Sequence, residues 1–306
     1  MTDAVSFAVV VPTLNAGPAW QQWIDGLKSQ SATPDKVLIV DSSSNDATAD
    51  IAAAAGYDVL RIERKDFNHG TTRQLAAERL GDAEIIIYLT QDAILADQDA
   101  LKNLLSTFAD PSVAIAYGRQ LPHRDAKPIG AHARIFNYTE KSEVKSANDI
   151  SRLGLKVAFV SNSFAAYRRA VLMSIGGFPS DNIFGEDTYV SAKVILAGLK
   201  VAYVSDAKVF HSHDYSVIQD FQRYFDIGVF HSREPWLRSA FGGAEGEGKR
   251  FVVSELRFLM KNAIFLIPSS MFRTLVKYVG YRMGLIEHRL SKKTKLKLSM
   301  HKGYWS

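Results

Sequence analysis

Two positions in the sequence have side chains suited to holding a phosphorylated nucleoside. Asp41 follows the apolar residues 37–40, and a carboxylate at the end of a strand can accept hydrogen bonds from a base or a ribose. Arg73 follows residues 70–72, where exposed amides at the start of a helix and a guanidinium together suit a diphosphate. Simpler explanations exist for both, since Asp41 could cap the helix near Asn45 and Arg73 could be a solvated surface residue.

Two further pairs of residues, one acidic and one of histidines, have spacings that could serve a reaction. Glu186 and Asp187 open a predicted helix, where acids also complement the helix dipole without any chemical role. His211 and His213 flank Ser212 after an apolar run, and side chains two residues apart on a strand point to the same side. Both imidazoles could therefore face one ligand, or both could be partly buried structural residues.

The elements that must position these residues alternate between strands and helices. A helix is predicted over residues 46–55, with Asn45 or Asp46 as its N-cap and Gly56 after its end. This alternation predicts an α/β fold with an open, mostly parallel sheet, flanking helices and ligands at the carboxyl ends of the strands. Three runs are apolar on both faces, as buried parallel strands are: residues 7–11, 37–40 and 84–89.

Later segments predict the rest of the sheet and a helical end. A helix is expected from about Asp187 to Ala197, before Gly198. Beyond about residue 215 the pattern is helical, and Pro268 separates two amphipathic helices over residues 251–267 and 271–285. Further strands are expected at residues 113–117, 157–161, 201–204 and 209–210.

The turn after the first strand argues against one class of nucleotide-binding protein. A dinucleotide oxidoreductase needs the pattern G-x-G-x-x-G at this point, whereas residues 15–20 read NAGPAW. The glycines that would let the backbone approach a pyrophosphate are missing.

Five segments in order resemble the family-2 glycosyltransferases of the GT-A fold. Four of them read VVVPTLNAG from Val9, VLIVDSSSNDAT from Val37, YLTQDA from Tyr88, and GGF followed by FGEDTYVSAKVILAG from Gly176. The fifth, DFNHGTTR from Asp66, is similar to the FxHGxTRN element of the rhamnosyltransferase branch. The resemblance covers about residues 7–215 and implies the GT-A fold, which has a Rossmann-like, mostly parallel sheet with flanking helices.

The resemblance implies a divalent metal, Mg²⁺ or Mn²⁺, and a catalytic base. Asp92 would bind the metal, although Thr90 stands where the family's motif has its first Asp, so that diphosphate oxygens and water complete the shell. Asp92 could instead cap a turn in a metal-independent enzyme. His211 is the second expected ligand to the metal, or it binds the diphosphate. Asp187 is the expected base, and Glu186 contacts the acceptor or orients its neighbour.

The remaining expected contacts to substrate come from the same segments. Through the branch resemblance, His69 indicates dTDP-rhamnose as the donor. The residues expected to bind substrate are Pro12, Thr13, Asn15, Asp41, Ser43, Asn68, His69, Arg73, Gln91, Asn162, Glu186, His211 and His213.

Charge is distributed unevenly along the chain. Residues 249–306 contain thirteen Lys and Arg but only two acids, Glu255 and Glu287, while the rest of the chain is slightly acidic. Apolar residues beside Lys and Arg at helical spacing favour helices that lie in an anionic membrane surface. A helix packed on the body with a solvated basic face would have the same pattern. No nucleic-acid partner is expected, because no recognised binding module accompanies the charge.

These patterns predict two parts: a GT-A domain for nucleotide sugar and acceptor over residues 1–215, and a basic helical C-terminal extension over residues 216–306. The chain has no cysteine, which fits a reducing compartment. Residues 1–6 lack a basic start, and no uninterrupted run of about 18 apolar residues exists, so neither a signal peptide nor a spanning helix is expected. The expected location is the cytoplasm, peripheral on the inner face of the cell membrane.

The function that the resemblance implies is an inverting, metal-dependent glycosyltransferase. It would move L-rhamnose from dTDP-β-L-rhamnose to a lipid-linked glycan acceptor in bacterial surface-polysaccharide synthesis of the O-antigen kind. One alternative is the same fold with a UDP-hexose or UDP-GlcNAc donor. Another is a non-catalytic, membrane-docked module that binds a sugar nucleotide.

Overall fold

The computed structural model describes residues 5–242 and 245–305, and its centre is a single sheet of nine strands. Most of the segment on which the signal-peptide expectation rests, residues 1–6, lies outside the described residues. The strands are β1 Phe7–Thr13, β2 Lys36–Asp41, β3 Asp58–Arg61, β4 Ile85–Leu89, β5 Ile94–Leu95, β6 Val113–Leu121, β7 Glu143–Lys145, β8 Phe164–Arg168 and β9 Lys200–Phe210.

The sheet is mixed but mostly parallel, as the sequence predicts. Its order is β3-β2-β1-β4-β8-β6-β9-β5. The short strand β7 pairs antiparallel with residues 201–203 of β9. Strands β1 to β4 run parallel to one another, β8 is antiparallel to both β4 and β6, and β6 is parallel to β9. The carboxyl ends of β1, β2, β4, β6 and β9 therefore share one edge with the amino end of β8.

Both faces of the sheet are covered, which explains why the central strands β1 and β4 are apolar at nearly every position. Ala8 and Val10 of β1 lie in one hydrophobic cluster, while Val9 and Val11 lie in the other. All four are fully buried or nearly so. Burial of a valine side chain contributes about 1.5–3 kcal/mol, so a strand that is buried on both faces is strongly held.

Helices flank the sheet and form the C-terminal part of the chain. No described helix has the length and apolarity needed to cross a membrane. The helices are α1 Trp20–Lys28, α2 Thr48–Ala54, α3 His69–Arg79, α4 Ala100–Leu105, α5 Pro128–Asn137, α6 Ile150–Leu153, α7 Arg169–Ser174, α8 Glu186–Leu196, α9 Val217–Arg233, α10 Pro235–Phe241, α11 Glu245–Asn262, α12 Ile267–Leu285 and α13 Lys292–Leu298.

One predicted strand is wrong. Residues 157–161 do not join the sheet: a 3₁₀ turn covers Gly154–Ala158, and the strand begins only at Phe164. Val157 and Ala158 are fully buried, but they pack into the core as part of this turn. A short apolar run indicates burial but does not distinguish a strand from a buried turn.

Several predicted helix boundaries also change, and the helix expected over residues 251–267 is Glu245–Asn262. Helix α2 begins at Thr48 instead of residue 46. The carboxylate of Asp46, two residues before the helix, accepts the Thr48 amide at 3.0 Å. Pro268 lies in the first turn of α12 instead of between the two helices. A proline is tolerated there because the amide it lacks has no partner within the helix.

The C-terminal helices rest directly on the body of the protein. Phe225 and Val229 of α9 are fully buried in the same cluster as one face of the sheet. On its other side α9 contacts α12 through glycines, and a Cβ added to Gly284 would lie 2.1 Å from the carbonyl oxygen of Phe225. The boundary expected near residue 215 stays a prediction, but the core does not end there.

Candidate active site

Asp187, the expected base, is held at the start of α8 beside the amino end of β8. Gly185 precedes the helix with φ of 75°, a conformation that glycine adopts without strain. One carboxylate oxygen accepts the Thr188 amide at 2.7 Å, and the other accepts the Asn162 amide at 3.2 Å. Burial, with the nearby charge of Glu186, raises the pKa of Asp187 to about 7. A carboxylate with this pKa can accept a proton near neutral pH.

Glu186 lies beside the base in a buried ion pair. Its carboxylate is 3.0 Å from the Arg73 guanidinium and accepts the Asn162 side-chain amide at 3.0 Å. Burial opposes its charge, but Arg73, His69 and Asn162 together hold the pKa of Glu186 below its ordinary value. Arg73 is only 3% exposed, so it is not a solvated surface residue. These contacts fit Glu186 as a residue that orients its neighbour.

Asp92, His211 and His213 form a compact cluster whose ligand atoms lie within 4.8 Å of one another. The Asp92 carboxylate is 3.5 Å from Nε2 of His211 and 3.8 Å from Nε2 of His213. Burial opposes the charge of Asp92, but hydrogen bonding to His211 and Thr90 and both imidazoles lower its pKa below the ordinary value. Burial lowers the pKa of His213 to about 4, so its neutral ring has a lone pair to offer.

Gln120 fixes the orientation of the His211 ring. Its side-chain oxygen lies 2.9 Å from Nδ1 of His211 and also accepts from Arg134. Because that oxygen can only accept, Nδ1 carries a proton, and Nε2 is the ring nitrogen that faces Asp92. A hydrogen bond from the other ring nitrogen to a protein oxygen is typical of histidines that bind a metal.

Neighbouring hydrogen bonds run from the partner of His211 to Asp187. Gln120 donates to the Ser161 hydroxyl at 2.9 Å, and the following residue, Asn162, donates its amide to Asp187. From the other side the Thr90 amide donates to the carbonyl of Ser163 at 3.4 Å. The carboxyl end of β4 and the amino end of β8 therefore bring the two groups to one edge of the sheet.

Several residues expected at the nucleoside hold the neighbouring loops together. Asp41 is 1% exposed and accepts the Thr13 hydroxyl at 3.1 Å and the Ser44 amide at 3.0 Å. The Gln91 side chain bonds both backbone groups of Leu14, at 2.8 and 3.1 Å. Thr13, Asp41 and Gln91 thus connect the ends of β1, β2 and β4, which is the place where the expected nucleoside would lie.

The tips of these loops carry two residues in an unusual backbone conformation. Asn15 and Ser43 have φ of 47° and 60°. Residues other than glycine rarely adopt this backbone conformation, and it often marks a functional loop. Asn15 accepts the Asn45 amide at 2.8 Å, and Ser43 donates to the carbonyl of Ile62 at 2.9 Å. Pro12, in the same turn, is half-buried at the end of β1.

Asn68 and His69 form the start of α3. The Asn68 side chain caps the helix by accepting the amides of Gly70 and Thr71 at 2.9 and 3.1 Å. A Cβ added at Gly70 would lie 1.9 Å from the carbonyl oxygen of Pro179, so only glycine fits this crossing. Burial lowers the pKa of His69 to about 3, which keeps its ring neutral.

Three residues of the site have no signal in the sequence. Gln120 lies inside an apolar strand, Arg223 lies in an amphipathic helix, and His301 lies close to the end of the chain. The Arg223 guanidinium stacks 4.9 Å from the Phe184 ring and 5.6 Å from the Tyr215 ring. Such contacts depend on which segments the fold brings together, and spacing along the chain does not show them.

The sequence is similar to those of known proteins. The family model described as glycosyl transferase family 2 matches residues 8–176. The chain is 50% identical to the O-antigen chain rhamnosyltransferase RfbN of Salmonella typhimurium strain LT2, over 99% of this chain and 96% of that protein. It is 47% identical to the O-antigen chain rhamnosyltransferase WbaN of Salmonella anatum, over 98% and 96%.

A solved structure supports the fold independently of close sequence similarity. The mannosyltransferase PcManGT from Pyrobaculum calidifontis, in complex with GDP-Man and Mn²⁺, superposes with a TM-score of 0.62. The comparison covers 94% of this chain and 87% of that one at 18% sequence identity. The expected fold and enzyme class are thereby confirmed, and the chain belongs to glycosyl transferase family 2.

Proposed function

We propose that this protein transfers L-rhamnose from dTDP-β-L-rhamnose to a glycan acceptor of an O-antigen chain, with inversion at the anomeric carbon. The observation that carries the proposal is the half-buried Asp187, whose pKa is near neutral. Its partner Asn162 follows Ser161, which accepts a hydrogen bond from Gln120, the partner of His211 in the cluster with Asp92 and His213. Two relatives of nearly full coverage bear the name O-antigen chain rhamnosyltransferase, which supports the choice of sugar.

In this proposal Asp187 takes the proton of the attacking hydroxyl. The acceptor oxygen forms its bond to the anomeric carbon while the bond from that carbon to the diphosphate breaks, and the proton passes to Asp187. The amides of Asn162 and Thr188 hold the carboxylate in place without neutralising it. Single displacement from a β-linked donor gives an α-linked product.

Asp92, His211 and His213 fit a divalent cation. They offer one carboxylate oxygen and two imidazole nitrogens, and the bond from Nδ1 of His211 to Gln120 leaves Nε2 as the nitrogen that would bind the cation. Mg²⁺ or Mn²⁺ bound by these residues would neutralise the charge that develops on the diphosphate leaving group. His213 joins Asp92 and His211 in this set, although the sequence suggested it only as a substrate contact.

We further propose that the protein docks on an anionic membrane surface, where a lipid-linked acceptor would lie. Both acids of residues 249–306, Glu255 and Glu287, are buried, so the exposed charge of the described part of this region is positive. Ten of the fourteen large apolar side chains that are exposed in the described chain lie on α11, α12 and their junctions: Val253, Met260, Ile264, Phe265, Met271, Phe272, Leu275, Tyr278, Val279 and Ile286.

This combination is what an interfacial surface requires. Apolar side chains insert among the lipid headgroups, while Lys and Arg beside them attract anionic lipids. Helix α12 is held on its inner side by Gly280 and Gly284 against α9, so its outer face is the one that carries exposed Met271 and Leu275.

A donor screen tests the sugar and the stereochemistry. The purified protein is incubated with dTDP-rhamnose, UDP-glucose or UDP-GlcNAc and a lipid-linked or synthetic glycan acceptor, and the product is read by mass spectrometry and proton NMR. We expect transfer only from dTDP-rhamnose and an α-linked product. Transfer from a UDP-sugar alone would support the alternative donor, and a β-linked product would exclude inversion.

A further inference from the structure

The last residues of the described chain lie near the edge of the sheet that carries Asp187 and Asp92. After α13, the Asp226 carboxylate of α9 accepts the amides of Met300 and His301 at 2.9 and 3.2 Å. Ser299, just before them, is fully buried and its hydroxyl accepts the His301 amide at 3.0 Å. The backbone at His301 is therefore fixed and not free to move away.

The residues after His301 anchor the same segment at its far end. The Tyr304 hydroxyl donates to the carbonyl of Asp181 at 3.2 Å, in the loop before α8. The Trp305 ring is nearly buried and lies 5.2 Å from the Arg233 guanidinium and 4.9 Å from the Lys295 ammonium. Anchors on both sides place residues 299–305, the C-terminal segment, against the body.

This placement brings the His301 ring next to His69. The two imidazoles meet edge to face with centroids 5.2 Å apart, and the Phe184 ring lies 6.4 Å from His301 on another side. His69 in turn contacts Arg73, the partner of Glu186. His301 therefore belongs to the wall of the site on the side of the base, although it lies more than two hundred residues later in the chain than His69.

The side of the base is where the transferred sugar must lie. Asp187 has to reach the attacking hydroxyl, and that hydroxyl is adjacent to the anomeric carbon during transfer. The diphosphate belongs at the other end, beside Asp92 and the two histidines of the cluster. A group that borders Arg73 and Glu186 is therefore placed to meet the hydroxyl groups of the sugar.

The chemistry of the two rings fits hydroxyl groups. Burial lowers the pKa of both His69 and His301, so both rings are neutral at physiological pH. A neutral imidazole offers one N–H donor and one nitrogen acceptor, which matches a hydroxyl. Nδ1 of His69 is used by Arg73 at 3.3 Å, but within the described chain no hydrogen bond is made by Nε2 of His69 or by either ring nitrogen of His301.

We propose that His301, together with His69, binds hydroxyl groups of the transferred sugar, so that the C-terminal segment forms a wall of the donor site and determines its sugar specificity. The proposal rests on the proposed function, because the position of the sugar follows from Asp187 as the base. The same ring chemistry would suit a hydroxyl of the acceptor glycan, and the experiment separates these two sources.

The test uses His301→Phe in the full-length protein. Phenylalanine keeps a ring packed against His69 and removes both ring nitrogens, so folding is preserved while the hydrogen bonds are lost. The loss of one or two neutral hydrogen bonds predicts a fivefold to roughly hundredfold fall in kcat/KM for dTDP-rhamnose. The Kd of dTDP, which has no sugar, should stay unchanged in calorimetry. His288→Phe, at an exposed histidine shortly after α12, is the matched control and should behave as wild type.

A conservative variant separates recognition from packing. His301→Gln retains a donor and an acceptor, and it should recover part of the lost kcat/KM. An unchanged kcat/KM for the donor in His301→Phe would overturn the proposal, as would a change confined to the KM of the acceptor or an equal weakening of dTDP binding. If wild type does not use dTDP-rhamnose, the proposed function fails by itself, and the His301 variants are then compared on the sugar nucleotide that wild type does use.

Discussion

At the residue scale, Asp187 and Glu186 stand side by side but have opposite environments. Arg73 and Asn162 compensate the charge of Glu186, and its pKa falls. Among the described residues, Asp187 has hydrogen bonds from two backbone amides and from the Thr188 hydroxyl, and burial raises its pKa. Two adjacent carboxylates whose pKa values are pushed apart are suited to different roles, which supports Asp187 as the proposed proton acceptor and Glu186 as the residue that positions it.

This raised pKa has a cost in stability that can be measured. Between the ordinary pKa of 3.8 and about 7, the folded protein holds the Asp187 proton more tightly than the unfolded chain. The free energy of unfolding therefore falls as pH rises through this window. We expect Asp187→Asn to melt a few degrees above wild type at pH 8, at about 2–4 °C per kcal/mol. The difference should disappear at pH 4; a gap that does not depend on pH would contradict this assignment.

The metal-ligand cluster predicts a dependence on divalent cations. Wild-type activity should disappear with a chelator and return with Mn²⁺ or Mg²⁺, measured by product formation. Asp92→Ala should need at least about tenfold more cation for half-maximal activity, because a charged ligand is lost. Asp206→Ala, at an exposed acid, is the control. Full wild-type activity in chelator would favour the metal-independent alternative.

Part of the site could be predicted from residue types and part could not. Asp92, Asp187 and the two histidines follow strand ends or begin a helix, and motifs of this kind can be read along the chain. The bond between Gln120 and His211 joins residues 91 positions apart, and the contact of His301 with His69 spans a still longer separation. Such partners depend on strand order, which local patterns do not specify.

At the scale of elements, the hydrophobic pattern of the sequence predicts the position of strands that are buried on both faces better than that of irregular segments. Runs such as β1 and β4 are apolar throughout because each face packs in a separate cluster. Residues 157–161 satisfied the same rule but form a buried turn. Similarly, Pro268 marks the beginning of α12, because a proline permits a first helical turn as readily as it ends a helix.

The contact between α9 and α12 predicts a large effect from a small substitution. In Gly284→Ala the new methyl group would lie 2.1 Å from the Phe225 carbonyl oxygen, so the helices must separate. We expect a loss of about 1–3 kcal/mol in the free energy of unfolding, measured by urea denaturation. Gly26→Ala in α1 meets nothing within 4 Å and should be neutral or stabilising by up to about 1 kcal/mol. Equal effects at both positions would contradict close packing of these helices.

At the scale of the whole molecule, the catalytic edge and the apolar, basic surface belong to one body, because α9 carries side chains into the core and α12 packs on α9. The surface can be tested by sedimentation with vesicles. Replacing Phe265 and Phe272, which are 78% and 57% exposed, with Ser should reduce binding to anionic vesicles severalfold. Leu196→Ser, at an exposed site on α8, is the control. Unchanged binding of the double variant, or equal binding to uncharged vesicles, would contradict membrane docking by this surface.

The central claim is that Asp187 deprotonates the acceptor in a site shared with the metal-ligand cluster. The most direct measurement is kcat/KM for rhamnosyl transfer from pH 5 to 9, in wild type, Asp187→Asn and the control Asp206→Asn. We predict that wild type and the control rise with pH to a plateau with an apparent pKa near 7, set by ionisation of Asp187. Asp187→Asn should be slower by about 10²–10⁴-fold at every pH. An Asp187→Asn variant with the activity and pH profile of wild type would contradict the account.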